Sequence, residues 1–114
     1  MVTLDEVFEL LKDQRRRYVL YCLYEKDGPV AVSELVEKIE TWEDDPPGTD
    51  EDIDRFEKIA LDLKHVHLPK SAEVEFIQYD KEQGVIQAQG SPEEFDAVLT
   101  IAMIIEEPEE ADET

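Results

Sequence analysis

A mainly α-helical domain with one small β-hairpin is the fold class this sequence predicts, and three observations carry that expectation. Apolar residues recur at helical spacing through most of residues 3–105, punctuated by Gly and Pro. One stretch, "VEFIQYDKEQGVIQAQG" at 74–90, reads instead as two short strands about a Lys81–Gly84 turn, with Phe76, Val85 and Ile86 among its apolar members. A chain of 114 residues with 41% apolar content supports one domain with one modest core.

Taken in order, Thr3 can cap a first helix, and Glu6 completes a capping box; Leu4, Val7, Phe8 and Leu11 keep helical spacing. The pattern restarts near Asp13, where Val19, Leu20, Cys22 and Leu23 give a buried stripe that Gly28–Pro29 ends. "PVAVS" is a short extended piece. Ser33 is the expected cap of the next helix, with Leu35, Val36 and Ile39 inward. Residues 43–52 hold two prolines, one glycine and six acids, which predicts a loop. Thr49 or Asp50 then caps a long helix whose apolar arc, counted from Ile53, collects Phe56, Ile59, Ala60, Leu63 and Val66. Its opposite face carries Asp54, Lys58, Leu61, Asp62 and His65, with Arg55 at the margin. Pro69 is expected to kink or end this helix. Ser91–Pro92 begins a last helix through Ile105.

Two helices joined after a short strand and followed by a two-stranded ribbon are the winged helix-turn-helix arrangement. The sequence thus divides into a winged helix-turn-helix domain at 1–90, an added C-terminal helix at 91–106 and an acidic, disordered tail at 107–114. In that last helix Phe95, Val98, Leu99, Ile101, Ala102 and Ile105, with Met103 and Ile104, occupy nearly the whole circumference. A helix apolar all round suits packing on its own domain and on a partner's copy, as a homodimer seam, or alternatively a central core helix or a buried strand.

Charge is the unusual feature: 31 acids against 11 bases, a formal net charge of −20. Ordinary, periodic apolar content argues against a disordered chain, so an acidic hydrated surface suited to molar salt is expected, as in salt-adapted organisms. The single cysteine, Cys22, allows no intrachain disulfide and fits a reducing cytoplasm. The start of the chain does not read as a signal peptide, and "AVLTIAMII" at 97–105 is too short to span a membrane.

No motif for catalysis is expected, since no phosphate loop, nucleophile elbow or Cys–His pair stands out. Nor is a cofactor or metal expected. His65 and His67, spaced i, i+2, face apart on a helix and cannot share an ion, and His67 falls towards the core. The bases are more informative, because eight of the 11 lie in residues 12–17 and 55–70. One reading makes them solvated helix faces with i, i+4 partners such as Asp54–Lys58. The other makes them a DNA-binding surface. On it Arg55, Lys58, Asp62 and His65 line the groove-facing side of the long helix. Lys64, Lys70 and Lys81 contact phosphates, Gln83 sits at the wing tip, and Arg15, Arg16 and Arg17 flank the backbone or, as arginines beginning a helix beside acids, are equally ion-paired.

Three blocks, "DQRRRYVLYCL", "VSELVEKI" and "HLPKSAEVEFIQYD", resemble a family of small haloarchaeal winged-helix domains. The matching positions are Arg15, Arg16, Arg17, Val19 and Leu20; Glu34 and Leu35; and His67, Leu68, Pro69, Lys70, Ile77, Tyr79 and Asp80. The resemblance covers about residues 4–88 and implies a winged-helix fold with a transcription-regulator role. Val74–Glu75 departs from the usual Ala-Gly of that family, and the loop at 43–52 is long for a helix-turn-helix. The expectation is therefore a non-catalytic, dimeric DNA-binding regulator of a halophilic archaeon or its virus, acting on double-stranded DNA. The rival is a winged-helix module that binds a protein partner and not DNA, which acids such as Asp54, Glu57 and Asp62 favour.

Overall fold

Thr3 forms the predicted capping box: its hydroxyl accepts from the Glu6 amide at 3.1 Å, and the Glu6 carboxylate accepts from the Thr3 amide at 3.0 Å. This opens α1 (Leu4–Leu11) in a computed structural model that describes residues 3–26, 28–43 and 52–106. The buried side of α1 is Val7 and Leu10, while Leu4 and Phe8 stay 61% and 56% exposed. Asp13 then caps α2 (Gln14–Glu25) by accepting from the Arg15 amide. This helix is central, with Val19, Leu20 and Tyr21 fully buried.

Strand β1 (Val30–Ala31) runs directly into α3 (Val32–Glu43). The expected cap at Ser33 lies inside the helix. Glu34 does the capping, accepting from the Ala31 amide at 3.2 Å. Trp42, near the end of α3, packs edge-on against Tyr18 at 5.3 Å and joins α3 to α2. The hairpin of β2 (Ile77–Asp80) and β3 (Val85–Ala88) turns at Gly84, whose φ of 69° suits glycine, and Asp80 accepts from the amides of Glu82 and Gln83. The short β1 pairs antiparallel with β3, so the sheet has three strands in the order β1-β3-β2.

Between α3 and the hairpin lies α4 (Asp52–Asp62), which continues into a π-helical turn, Leu63–His67, and the single-turn α5 (Leu68–Ser71). Pro69 has no amide for the carbonyl four residues back, and the chain reaches it through a widened turn in which the Leu68 amide bonds Leu63 O. The helix is thus re-phased and does not end. Re-phasing corrects the apolar arc: Val66, expected inside, is 48% exposed, while His67 is 4% exposed.

The last helix, α6 (Glu93–Glu106), lies antiparallel along α2 and is pinned at both ends. Near its start Asp96 accepts from Tyr24 at 2.6 Å and from Ser91 at 2.7 Å. At its end Glu106 accepts from Tyr21 at 2.7 Å and from Arg17 at 2.9 Å. Beside the first pin Phe95 is buried, packing on Phe76 at a ring separation of 5.0 Å, and between the pins Leu99 is buried too. Phe95 and Leu99 therefore serve their own core, contrary to the dimer seam expected of them, and Val98 and Ala102 are partly buried against it. Ile101, Ile104 and Ile105 remain 56%, 64% and 78% exposed. No helix among the described residues is long and apolar enough to cross a membrane. The expected caps Thr49 and Asp50, the side chains of Ile53 and Asp54, and the tail at 107–114 lie outside the described residues.

This orientation of α6 predicts a sharp asymmetry. Phe95→Ala is expected to lower the unfolding free energy by about 3–5 kcal/mol. Ile104→Ala is expected to change it by less than about 0.5 kcal/mol. Urea denaturation followed by Trp42 fluorescence, at a protein concentration low enough to exclude association, reads both.

Candidate functional site

Helix α1 ends at Leu11 with no glycine after it, so its last carbonyls need donors from elsewhere. The arginine run that follows supplies them. Arg16 donates from Nε to Leu10 O at 3.0 Å and from a terminal nitrogen to Glu9 O at 2.8 Å, and Arg17 donates to Leu11 O. Arg16 is 4% exposed. Its remaining nitrogen lies 3.2 Å from His67 Nδ1. A guanidinium has no acceptor, so Nδ1 accepts and Nε2–H donates to Asp62 at 2.9 Å.

Arg15 reaches the other way. It holds Glu43 at the end of α3 with two bonds, at 2.6 and 3.0 Å, and Asp62 at the end of α4 with one at 3.1 Å. Arg55 reaches the same Glu43 carboxylate at 3.4 Å. Arg17 gives two further bonds to Glu106, at 2.9 and 3.0 Å. The three arginines expected to flank a DNA backbone are therefore cross-links: Arg16 is buried, and Arg15 and Arg17 are half-buried in carboxylate pairs. Arg55 and Asp62, expected on the outer side of α4, face α3 and α2 instead, because Glu43, Arg15 and His67 draw them inward. Lys70, expected on phosphate, is half-buried between Glu9 at 3.5 Å and Glu73 at 3.3 Å.

What remains on the outer side is a smaller set. Lys58, Lys64, His65, Lys81 and Gln83 are exposed, as expected. Among the described residues, the side chains of Lys58, Lys64 and Lys81 make no ion pair, whereas Lys12 meets Glu9, Lys26 meets Glu34 and Lys38 lies over Trp42. The unpaired lysines stand on α4, the π turn and the hairpin turn. Leu61, 55% exposed, and Val66 interleave with them, and Glu57 and Glu82 stand beside them, also exposed. Sequence missed the outward position of Val66 and the carbonyl contacts of Arg16 and Arg17, while ion pairing of the arginines was one of its two readings. The only signal for the arginines was an uncapped helix end within reach of a following arginine run. The two histidines part as expected, His65 outward and His67 inward. No group of three or more His, Cys, Asp or Glu among the described residues could hold a metal ion.

Residues 8–87 match the family model DUF7344, a domain of unknown function, and α6 lies beyond the matched stretch. The match spans more than two thirds of the 114 residues, and the chain belongs to that family. No curated protein and no solved structure matches the chain.

Two predictions follow from the cross-links. Arg16→Ala leaves acceptors on α1 and His67 without their donor, and unfolding in urea is expected to show a loss of about 3–5 kcal/mol. Arg16→Lys is expected to recover less than about half of it, since one ammonium cannot span the fork's three partners. The second concerns acid. Burial pushes the Glu106 carboxyl up, but hydrogen bonds from Arg17, Tyr21 and Gln14 outweigh burial and hold it below its ordinary 4.5. A depressed folded value stabilises the fold above the unfolded value, and that contribution disappears as pH falls through the folded one. Wild type is thus expected to exceed Glu106→Gln in stability by a constant margin above about pH 5. The margin should close as acid is added. A margin independent of pH contradicts the assignment.

Proposed function

We propose that this chain is a winged helix-turn-helix DNA-binding protein that regulates transcription without catalysis, in the cytoplasm of a halophilic archaeon or its virus. The order α2, β1, α3, α4, β2, β3, with β1 laid on β3, supports the fold assignment, with α4 as the groove-entering helix and the hairpin as the wing. A net charge of −20 supports the salt-rich setting.

The observation that carries the DNA reading is the confinement, among the described residues, of unpaired lysines to α4, the π turn and the hairpin turn. Free cations release counterions on meeting phosphate, whereas a cation already held by a carboxylate must first break that pair. Lys58, Lys64 and Lys81 are the phosphate contacts in this reading. His65 and Gln83 supply donors and acceptors for base edges, and Leu61 and Val66 supply apolar contact to thymine methyls. Three cations give a weak salt-dependent term, so binding in molar salt leans on base contacts and shape. The second reading is a protein-binding module. Exposed Leu61 and Val66 beside Glu57 and Glu82 favour it, because an apolar strip edged by both charges fits a protein partner as well.

Selection from random-sequence duplexes in about 2 M KCl separates the two. The DNA reading expects an enriched motif. It further expects Lys58→Ala, Lys64→Ala and Lys81→Ala each to flatten the plot of log affinity against log salt by about one unit, with Lys12→Ala leaving it unchanged. Folded protein with no enriched motif, or a slope indifferent to all three lysines, contradicts it and favours the protein-binding module.

A further inference from the structure

We propose that the outer face of α6 is a self-association surface that joins two copies of this chain, and that molar salt holds them together. This goes beyond the DNA reading and stands without it.

The face is defined by what α6 does not give to its own core. Phe95 and Leu99 point into the domain, and Glu106 is turned back onto Arg17 and Tyr21, so the acid that ends the helix is withdrawn from the outer side. The outer stripe is Ala97, Ile101 and Ile104 at spacings of four and three, with Ile105 at its margin. That spacing is the seam of a two-helix pairing, in which each isoleucine meets its counterpart across a two-fold axis. Thr100 does not interrupt it, because its hydroxyl donates to Asp96 O at 2.8 Å and needs no partner outside the helix.

Charge identifies the occupant. The nine residues from Ala97 to Ile105 contain no charge in a chain of net −20, so this stretch can meet its copy without setting carboxylates against carboxylates, while exposed Glu93 and Glu94 stand one turn before it. An isologous contact places a patch against itself, and a neutral patch tolerates this where an acidic one does not. The chain's own 107–114, "EPEEADET", offers only proline and alanine as apolar groups and is a poor cover for the isoleucines. Area matters too. Isoleucines 56%, 64% and 78% exposed supply, over two copies, about half of the roughly 1,200 Å² at the lower end of stable interfaces. Ala97 and Thr100, also exposed on α6, add to the isoleucine area. Long-range repulsion between the two acidic copies then sets the salt dependence: it is screened over about 3 Å at 1 M salt and over about 10 Å at 0.1 M.

Sedimentation equilibrium of the full chain in about 2 M and about 0.1 M KCl tests this directly. A dimer at high salt that dissociates at low salt is expected, with Ile101→Asp/Ile104→Asp weakening it at least about 100-fold while far-ultraviolet circular dichroism stays unchanged. A second readout does not depend on those acids: Ile101→Cys is expected to form a disulfide between copies, whereas Glu82→Cys in the hairpin turn is not. Monomer at high salt, at about 100 μM, overturns the proposal and gives the face to a different partner. A dimer that survives the double substitution, or fails to cross-link through position 101, overturns it equally.

Discussion

Three consecutive arginines, each sent to a different place, are the constraint on which the rest of this structure depends. Arg16 closes the open end of α1 and supports His67; Arg17 ties that same end to the last residue of α6; Arg15 clamps the end of α3 to the end of α4. Consecutive residues on a helix project about 100° apart, so one short run at the start of a central helix can serve three neighbours. Burying a guanidinium costs several kcal/mol, and it is tolerated here because acceptors surround it. Pairs that are partly withdrawn from water are also screened less by salt than exposed ones, which suits a chain with this acidic surface.

The same network reaches α4 through the π turn. Pro69 disrupts ordinary helical bonding, the backbone widens, and His67 swings under Arg16 while Asp62 receives bonds from both His67 and Arg15. Glu43, shared by Arg15 and Arg55, completes the link to α3. The orientation of α4 is thus set by charged groups at its two ends as well as by Ile59 and Leu63 in the core. Drawing Arg55 and Asp62 inward leaves Lys58 and Lys64 outward beside exposed Glu57, and those lysines are what the proposed contact with DNA uses.

Much of the fold was legible because its signals are local. The capping box at Thr3, the restart at Asp13, the Lys81–Gly84 turn and the order of elements all depend on a few neighbouring residues. What was not legible depends on partners far along the chain. A run of arginines reads equally as phosphate contacts or as ion pairs until the carbonyls of Glu9, Leu10 and Leu11 are seen to lack donors. Val66 reads as core until the π turn shifts its phase. The last helix reads as apolar all round, and only its pins at Asp96 and Glu106 decide which side faces α2. Of the surface expected to meet DNA, Lys58, Lys64, His65, Lys81 and Gln83 were legible as exposed, while Arg15, Arg16, Arg17, Arg55, Asp62 and Lys70 are engaged internally.

The division of labour among the cations is the central claim: arginines hold the fold together, and unpaired lysines face outward. Proton–nitrogen correlation spectra of labelled protein, recorded with and without an equimolar random-sequence duplex, test it most directly. The account predicts that the Nε–H signals of Arg15, Arg16 and Arg17 exchange slowly with water and keep their positions when duplex is added. The backbone amides around Lys58, Lys64 and Lys81 are predicted to move. Fast-exchanging arginine signals that shift with duplex, beside unmoved lysine segments, would contradict it.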